Sequence, residues 1–372
     1  MTTNILDTGV KVVRNVSGFT VGKGSVGQLA SFVDARRKHP AASSGVAVFL
    51  IDEFFRSRPD VVASLGIARG DVVRYVSVAH EPTTDGIDAL TDAIRGELGA
   101  LPATIVGVGG GTTMDTAKAV ANLLTNGGAA ADYQGWDLVK VPGVHKIAVP
   151  TISGTGAEAT RTCVMTNTKT GLKLGMNSDY TVFDQMVLDP DLTATVPRDQ
   201  YFYTGMDAYI HCVEALRGSY RNAVGDAYSR ETVNLCRQVF LGDDMMTDEA
   251  RERLMVASYL GGCAIATSYV GVVHPFSAGL SVVLGLHHCI ANCIALNALG
   301  EFYPEEHAEF RTMLEKQRVP LPHGVCKGLT DEQLERLVAA TVVHAKPLTN
   351  ALGEKFRDIL TDDKVVEIFA RM

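Results

Sequence analysis

In the first 197 residues, strand-like runs alternate with helical segments, and this alternation restricts the fold more than any other feature. The strand-like runs are rich in β-branched residues and occur at 45–52, 71–79, 103–110 and 146–151. Apolar residues recur at helical spacing in the segments 59–69 and 85–101. Alternation of this kind builds a parallel sheet covered by helices. We therefore predict an α/β domain for residues 1–197.

After Pro197, which is a natural break, the pattern becomes almost continuously helical. Between Leu254 and Gly300 there is no Asp, Glu, Lys or Arg, as in a membrane-spanning segment. Glycines and Pro275 interrupt this run, however, and Ser, Thr and Asn recur within it. We predict that the run forms buried helices of an all-α domain at 198–372 and makes no membrane contact.

The composition argues against several classes of protein. The formal net charge is -8 and the Lys and Arg residues are scattered, which disfavours nucleic acid as a partner. The seven cysteines form no CxxC pair and indicate reduced thiols rather than a disulfide framework. Residues 1–15 contain no apolar export signal. These features together predict a cytoplasmic protein.

A glycine-rich turn indicates nucleotide binding. In IVGVGGGTTMDTAKAVANLL a strand leads through Gly109, Gly110 and Gly111 into a helix, whose N-terminal amides favour a diphosphate. The strict GxGxxG pattern fails because residue 112 is Thr, so a purely structural turn is equally open. A second small-residue turn, PTISGTGAEAT at 150–160, also follows a strand and strengthens the prediction.

Asp52 ends the strand-like run FLID and could accept hydrogen bonds from the two hydroxyls of an adenosine ribose. A carboxylate there would repel a 2'-phosphate, which favours NAD over NADP. The alternative is that Asp52 caps the helix that follows it.

A possible metal site lies in the helical part. Asp207 and His211 are four residues apart and therefore share one helix face, although their neighbours are apolar. His274 and His288 lie within the uncharged run. Three imidazoles and one carboxylate suit a first-row divalent cation, which would also neutralise a buried Asp207. The alternative is that these histidines are hydrogen-bonded core residues.

The whole chain resembles the iron-containing, or group III, metal-dependent alcohol dehydrogenases. The motifs that carry the resemblance are GGGTTMDTAK (109–118), PTISGTGAEAT (150–160), DP (189–190), GMDAYIHCVEA (205–215) and the histidine pair 274 and 288. The resemblance implies a dehydroquinate synthase-like fold, in which a dinucleotide-binding α/β domain with a parallel sheet precedes an all-α domain. It also implies an alcohol oxidoreductase that forms a homodimer.

The resemblance assigns roles to individual residues. The implied ligands of Fe2+ or Zn2+ are Asp207, His211, His274 and His288. The implied contacts with NAD(H) are Asp52, Gly109, Gly110, Gly111, Thr112, Asp115, Lys118, Thr151, Ser153, Thr155 and Lys173. Many relatives carry a further histidine four residues after the third ligand, where this chain has Ala278. His287 is then the candidate for relaying the proton.

Within the family, residues 206–235 and KVVEIFARM at 364–372 are similar to the branch that acts on 3-deoxy-D-manno-octulosonate (Kdo). That branch oxidises the C8 primary alcohol of this acid sugar to an aldehyde in lipopolysaccharide amino-sugar biosynthesis. The similarity implies an aminotransferase as the next enzyme. Candidate carboxylate-binding residues are Arg161, Arg217 and Arg221.

Several alternatives stay open from the sequence. Arg217 and Arg221, four apart, could simply form a solvated helix surface. The electron acceptor could be NAD or oxygen, although the dinucleotide turns favour NAD. The substrate could be another small polyol or alcohol. The chain could also be a non-catalytic module that binds a nucleotide and a metal.

Overall fold

A computed structural model describes residues 13–40 and 42–372 of the chain. These residues form two compact units. The α/β unit contains Arg14–Ile152 and Ala157–Thr195, and the helical unit contains Ser153–Gly156 and Val196–Met372. The main boundary, at Thr195–Val196, lies close to the boundary predicted at Pro197. The assignment of Ser153–Gly156 to the helical unit was not predicted. Residues 1–12, which carry most of the N-terminal segment expected to lack an export signal, lie outside the described residues.

The α/β unit contains two sheets, with strands in the described part of the chain as follows: β1 Gly18–Val21, β2 Ala47–Asp52, β3 Val72–Val76, β4 Thr104–Gly109, β5 Gly135–Trp136, β6 Lys146–Pro150, β7 Thr162–Asn167, β8 Leu172–Asn177 and β9 Gln185–Leu188. The larger sheet has the order β1-β9-β6-β4-β2-β3, and all its pairings are parallel. The smaller sheet has the order β5-β8-β7, with β7 and β8 antiparallel. The predicted parallel sheet is confirmed, whereas the smaller sheet was missed.

Helices alternate with the strands of the larger sheet, as predicted: α1 Leu29–Arg37, α2 Pro59–Ser64, α3 Thr84–Leu98 and α4 Gly111–Asn126. The central strands β4 and β6 are buried along their whole length, which explains why their sequences are continuously apolar. Register places the carboxyl ends side by side, with Ile51 opposite Val108 and Gly109 opposite Pro150. The predicted cofactor turns therefore leave neighbouring strands at one edge of the sheet.

The helical unit contains helices throughout, which confirms the predicted all-α part: α5 Arg198–Arg217, α6 Ala223–Phe240, α7 Asp248–Ser268, α8 Val273–Leu284, α9 His288–Ala298, α10 Pro304–Gln317, α11 Asp331–Val342, α12 Ala345–Leu352, α13 Phe356–Ile359 and α14 Asp362–Phe369. Helix α5 follows Pro197 and is buried without interruption over residues 201–215. It packs against α6, α7 and α9 at the centre of the unit's apolar core.

The uncharged run supplies the second half of α7 together with α8 and α9, and most of its apolar residues lie in that core. No single helix among the described residues has the length and apolar character to cross a membrane. The pair Asp248–Ser268 and Val273–Leu284 meets that criterion only when taken together, and it bends by 105°.

Candidate metal centre and cofactor turns

Three of the four predicted metal ligands converge in the helical unit. Asp207 projects from α5, His274 from α8 and His288 from the first residue of α9. Each offers one ligand atom, and these atoms lie within 4.8 Å of one another. His274 Nε2 lies 3.4 Å from Asp207 Oδ1, and His288 Nε2 lies 3.8 Å from Asp207 Oδ2. We refer to these three residues as the ligand cluster.

His211, the fourth predicted ligand, lies beside the cluster. It follows Asp207 by one helical turn, and its Nε2 atom lies 3.4 Å from Asp207 Oδ1. Its ring stacks on that of His274 with centroids 4.7 Å apart. Its Nδ1 atom is buried and has no hydrogen-bond partner among the described residues. The place of His211 in the coordination set stays a prediction.

The electrostatics of the cluster favour positive charge. Burial disfavours the charged form of Asp207, but the neighbouring His211, His288 and His274 outweigh it and hold the pKa of Asp207 below its usual range. Burial lowers the pKa of His211 to about 4. At His274 burial acts in the same direction, but the carboxylates of Glu214 and Asp207 prevail and raise its pKa to about 9. The two carboxylates therefore favour positive charge at His274.

Two residues that were not predicted from the sequence support the cluster. Glu214 is fully buried and accepts hydrogen bonds from His274 Nδ1 and from the Val273 amide. Asn292 Nδ2 donates to Asp207 Oδ1 over 2.6 Å and lies 3.2 Å from His288 Nε2. Helical spacing could have revealed both residues. Glu214 lies three residues after His211, and Asn292 lies four residues after His288.

Smaller contacts complete the surroundings of the cluster. Ser277 Oγ lies 3.4 Å from His288 Nδ1. The thiol of Cys289 lies 3.8 Å from Asp207 Oδ2. A buried carboxylate facing several imidazole nitrogens is a donor set that suits Fe2+ or Zn2+, so the residues present fit the implied metal.

The turn between α7 and α8 fixes the position of His274. Tyr269 ends α7 with a φ of 61°, which is unusual for a residue other than glycine. The Asn350 side chain holds the turn by donating to the carbonyl oxygens of Ser268 (3.0 Å) and Val270 (2.9 Å). At Gly271 a Cβ atom would lie 2.6 Å from the hydroxyl of Tyr303. The start of α8 is therefore closely constrained.

Ala278 stands where many relatives carry a histidine, and His287 is the candidate for relaying the proton. The two residues differ in exposure. Ala278 is buried, with 6% of its surface exposed. His287 is exposed at the N-cap of α9, directly before the ligand His288. Its role as a relay stays a prediction.

In the α/β unit, the glycine turn joins β4 to α4 as predicted. Gly110 is the N-cap of α4, no side chain caps this end, and Gly111 and Thr112 form its first turn. A Cβ atom at Gly109 would lie 2.6 Å from Thr113 Oγ1, and one at Gly110 would lie 2.8 Å from Ile152 Cγ2. Close packing against α4 therefore favours glycine at 109, and close packing against Ile152 of the second turn favours it at 110, whether or not a diphosphate approaches them.

The second turn is divided between the units. Thr151 remains with the sheet, and its amide donates to the Gly109 carbonyl. Ser153–Gly156, which include Thr155, belong to the helical unit. The Gly156 amide donates to Ser258 Oγ on α7, and a Cβ atom at Gly154 would lie 1.6 Å from the Thr204 carbonyl oxygen.

The glycines of this second turn therefore serve close packing against α5 and α7. Ser153 Oγ is buried and has no hydrogen-bond partner among the described residues. The predicted cofactor contacts of Thr151, Ser153 and Thr155 stay predictions.

Asp52 does cap the following segment, since its Oδ1 atom accepts a hydrogen bond from the Phe54 amide. This confirms the alternative given for Asp52. Burial raises its pKa above the usual value. Its proposed contact with a ribose involves the same carboxylate and stays a prediction.

Three other predicted cofactor residues make internal contacts. Lys118 is fully buried, and its Nζ atom donates to Thr160 O, Thr160 Oγ1 and Thr162 O. Asp115 accepts from the Val164 amide, and burial raises its pKa to about 6. Lys173 Nζ pairs with Glu81 at 2.5 Å. Lys118 therefore donates three hydrogen bonds to residues 160 and 162, and these bonds hold the chain in place where β7 begins.

The three candidate substrate arginines all pair with carboxylates of this chain. Arg161 contacts Asp179 and Asp137, and Arg217 contacts Glu305 and Glu306. Arg221 forms a two-bond pair with Asp226. Helix α5 ends at Arg217, so the proposed helix surface shared by Arg217 and Arg221 is wrong for Arg221. Binding of a substrate carboxylate by these residues stays a prediction.

Comparison with protein families matches most of the chain. Residues 18–190 match the family described as iron-containing alcohol dehydrogenase. Residues 201–335 match the Fe-containing alcohol dehydrogenase family, C-terminal.

Individual relatives are similar over parts of their length. The sulfoacetaldehyde reductase of Bilophila wadsworthia is 34% identical over 221 residues, which cover 58% of this chain and 56% of that protein. The NAD-dependent methanol dehydrogenase of Bacillus methanolicus is 29% identical over 282 residues, which cover 74% of this chain and 71% of that protein. The match thus spans little more than half the length of the first of these relatives.

Among solved structures, 1,3-propanediol oxidoreductase superposes with a TM-score of 0.81 at 21% identity. The superposition covers 97% of this chain and 99% of that one. This likeness establishes the fold.

Proposed function

The chain belongs to the iron-containing alcohol dehydrogenase family, and from this we propose that it is a metal-dependent oxidoreductase that interconverts a primary alcohol and its aldehyde. The observation that carries the proposal is the ligand cluster of Asp207, His274 and His288. A non-catalytic module that binds a metal would use the same donors, so formation of NADH with a primary alcohol is the experiment that distinguishes the enzyme from such a module.

The chemistry follows from the residues of the two units. A divalent cation held by Asp207, His274 and His288 would act as a Lewis acid toward the substrate hydroxyl, and a bound nicotinamide would accept the hydride. Asp207 contributes the negative charge of the cluster, and Asn292 holds one of its oxygens. Exposed His287, next to His288, is available to exchange a proton with solvent.

We propose NAD(H) rather than oxygen as the redox partner. The uncapped N-terminus of α4 and the carboxyl ends of β2, β4 and β6 at one sheet edge support this proposal. The similar methanol dehydrogenase is named as NAD-dependent, which agrees with it. Absorbance of NADH at 340 nm, followed with and without oxygen, tests the choice. Turnover that requires oxygen and forms no NADH would refute it.

For the substrate we propose the C8 alcohol of Kdo, on the similarity of residues 206–235 and 364–372 to that branch of the family. The relative named sulfoacetaldehyde reductase suggests an anionic substrate as well, because sulfoacetaldehyde carries a sulfonate. The test is a panel of Kdo, 2-hydroxyethanesulfonate (the alcohol that corresponds to sulfoacetaldehyde), methanol and 1,3-propanediol, with kcat/KM for oxidation as the readout. A preference for a neutral alcohol over both anionic substrates would contradict an anionic substrate.

Two further proposals concern partners. A homodimer is expected, and light scattering after size-exclusion chromatography tests it. An aminotransferase that consumes the aldehyde is expected to act next, and coupled formation of the amino sugar tests this order.

A further inference from the structure

Glu214 is a buried carboxylate that the proposed chemistry does not use. It lies on α5, seven residues after Asp207 and three after His211, so all three side chains share one helix face. Its side chain is completely buried. Burial of a charged group at this depth is costly unless both oxygens find partners.

Both oxygens do find partners, and these lie on α8. Oε1 accepts a hydrogen bond from the Val273 amide over 2.5 Å, and Oε2 accepts one from His274 Nδ1. When Nδ1 donates its proton to a carboxylate, Nε2 is left with the lone pair of the neutral imidazole. His274 Nε2 is the atom that lies 3.4 Å from Asp207 Oδ1.

We infer that Glu214 is a positioning residue of the metal centre, which holds His274 in the tautomer whose Nε2 atom faces the cation. The inference rests on the proposed function, because it needs a metal at the ligand cluster. The ion pairs of Glu214 and Asp207 in the described part of the chain are all with histidines. A divalent cation surrounded by neutral histidines therefore balances the two buried carboxylates.

The carboxylate cannot be replaced by an amide without loss. Both oxygens of Glu214 accept hydrogen bonds, whereas Gln at this position has one acceptor oxygen and an NH2 group. In Glu214→Gln the NH2 group must face either the Val273 amide or His274 Nδ1–H, which are both donors. Loss of the group that accepts the hydrogen bond from a metal-ligating histidine typically weakens metal binding by about 10- to 100-fold.

The test measures the affinity of the full-length protein for Zn2+ and Co2+ by competition with a chelator, together with the visible absorption spectrum of the Co2+ form. The control variant is Glu309→Gln. Glu309 lies on α10 and also contacts α5, because it accepts a hydrogen bond from Tyr209. It pairs with Arg237 of α6, and neither partner is a predicted ligand. We expect a 10- to 100-fold loss of affinity and an altered Co2+ spectrum in Glu214→Gln, and neither change in the control.

The outcomes separate this inference from the proposed function. Glu214→Gln with affinity within about twofold of the wild type and an unchanged Co2+ spectrum would overturn the inference alone. A drop in thermal stability with the same spectrum would do so too, since it indicates a purely structural role. Absence of Co2+ binding by the wild type would overturn both.

If the variant does not fold, nitrogen NMR of the wild-type Zn2+ form decides the question. We expect a protonated Nδ1 and a metal-bound Nε2 at His274, with its signals identified by their loss in His274→Gln. The opposite assignment would overturn the inference.

Discussion

Removal of the metal should lower the thermal stability of this protein by a predictable amount. The predicted ligands all lie in the helical unit, on α5, α8 and α9, and α5 is remote in sequence from the other two helices. An unfolded chain does not hold them together, so the cation binds the folded state in preference. At about 1,000 times its Kd, such a ligand stabilises the fold by about 4 kcal/mol.

For a unit of roughly 150–250 residues, each kcal/mol changes the unfolding midpoint by about 2–4 °C. The expected difference between the Zn2+-loaded and chelator-treated protein is therefore about 8–16 °C. Circular dichroism at 222 nm, which follows the helices, measures it. In Asp207→Asn the difference should disappear, because the neutral amide replaces the carboxylate ligand of the cluster.

Asp226→Asn is the control for this experiment. Asp226 is another buried carboxylate of the helical unit, but its partners are Arg221 and Arg230. The control should have a lower midpoint and yet keep the whole metal-dependent difference. A difference of several degrees that persists in Asp207→Asn would show that the cation binds elsewhere and would refute the reasoning.

Three further perturbations test other parts of the structure. Gly154→Ala should destabilise the protein by at least about 3 kcal/mol in urea unfolding, because its Cβ would lie 1.6 Å from the Thr204 carbonyl oxygen and its φ is +146°. Gly27 has open space around it, so Gly27→Ala, the control, should lower the free energy of unfolding far less. Burial lowers the pKa of His145 from 6.5 to about 4, so the unfolded chain binds more protons in this range. Stability should therefore rise by up to about 3 kcal/mol between pH 4 and 6.5, and His145→Gln should flatten the rise in chemical denaturation at several pH values; an unchanged pH profile in the variant would contradict this. Asp52→Ala should lower the ratio of kcat/KM for NAD to that for NADP by roughly tenfold, and an unchanged ratio would exclude a ribose contact.

The order of strands and helices could be predicted because it depends on local periodicity. Continuous apolar runs predicted the buried strands β4 and β6, and helical spacing predicted α3 and α5. The smaller sheet was missed because β7 and β8 have mixed burial and therefore lack the continuous apolar signal. The same helical spacing placed Asp207 and His211 on one face, which is a property of a single helix.

The partners of charged side chains could not be predicted in this way. The Lys118 ammonium binds oxygens of residues 160 and 162, which lie far along the chain, and this contact was not predicted. Arg217 pairs with Glu305 and Glu306 of α10, whereas its predicted role in substrate binding stays a prediction. Because such contacts join distant segments, periodicity carries no information about them.

By itself the sequence therefore determined the class of most segments, the turn from β4 into α4 and residue types able to bind a divalent cation. Only the tertiary structure decided that Glu214 orients His274, that Asn292 holds Asp207, and that residues 153–156 pack with the helices rather than the sheet. The physical reason is that hydrophobic periodicity depends on residues a few positions apart, whereas a metal centre depends on distances between segments that only folding brings together.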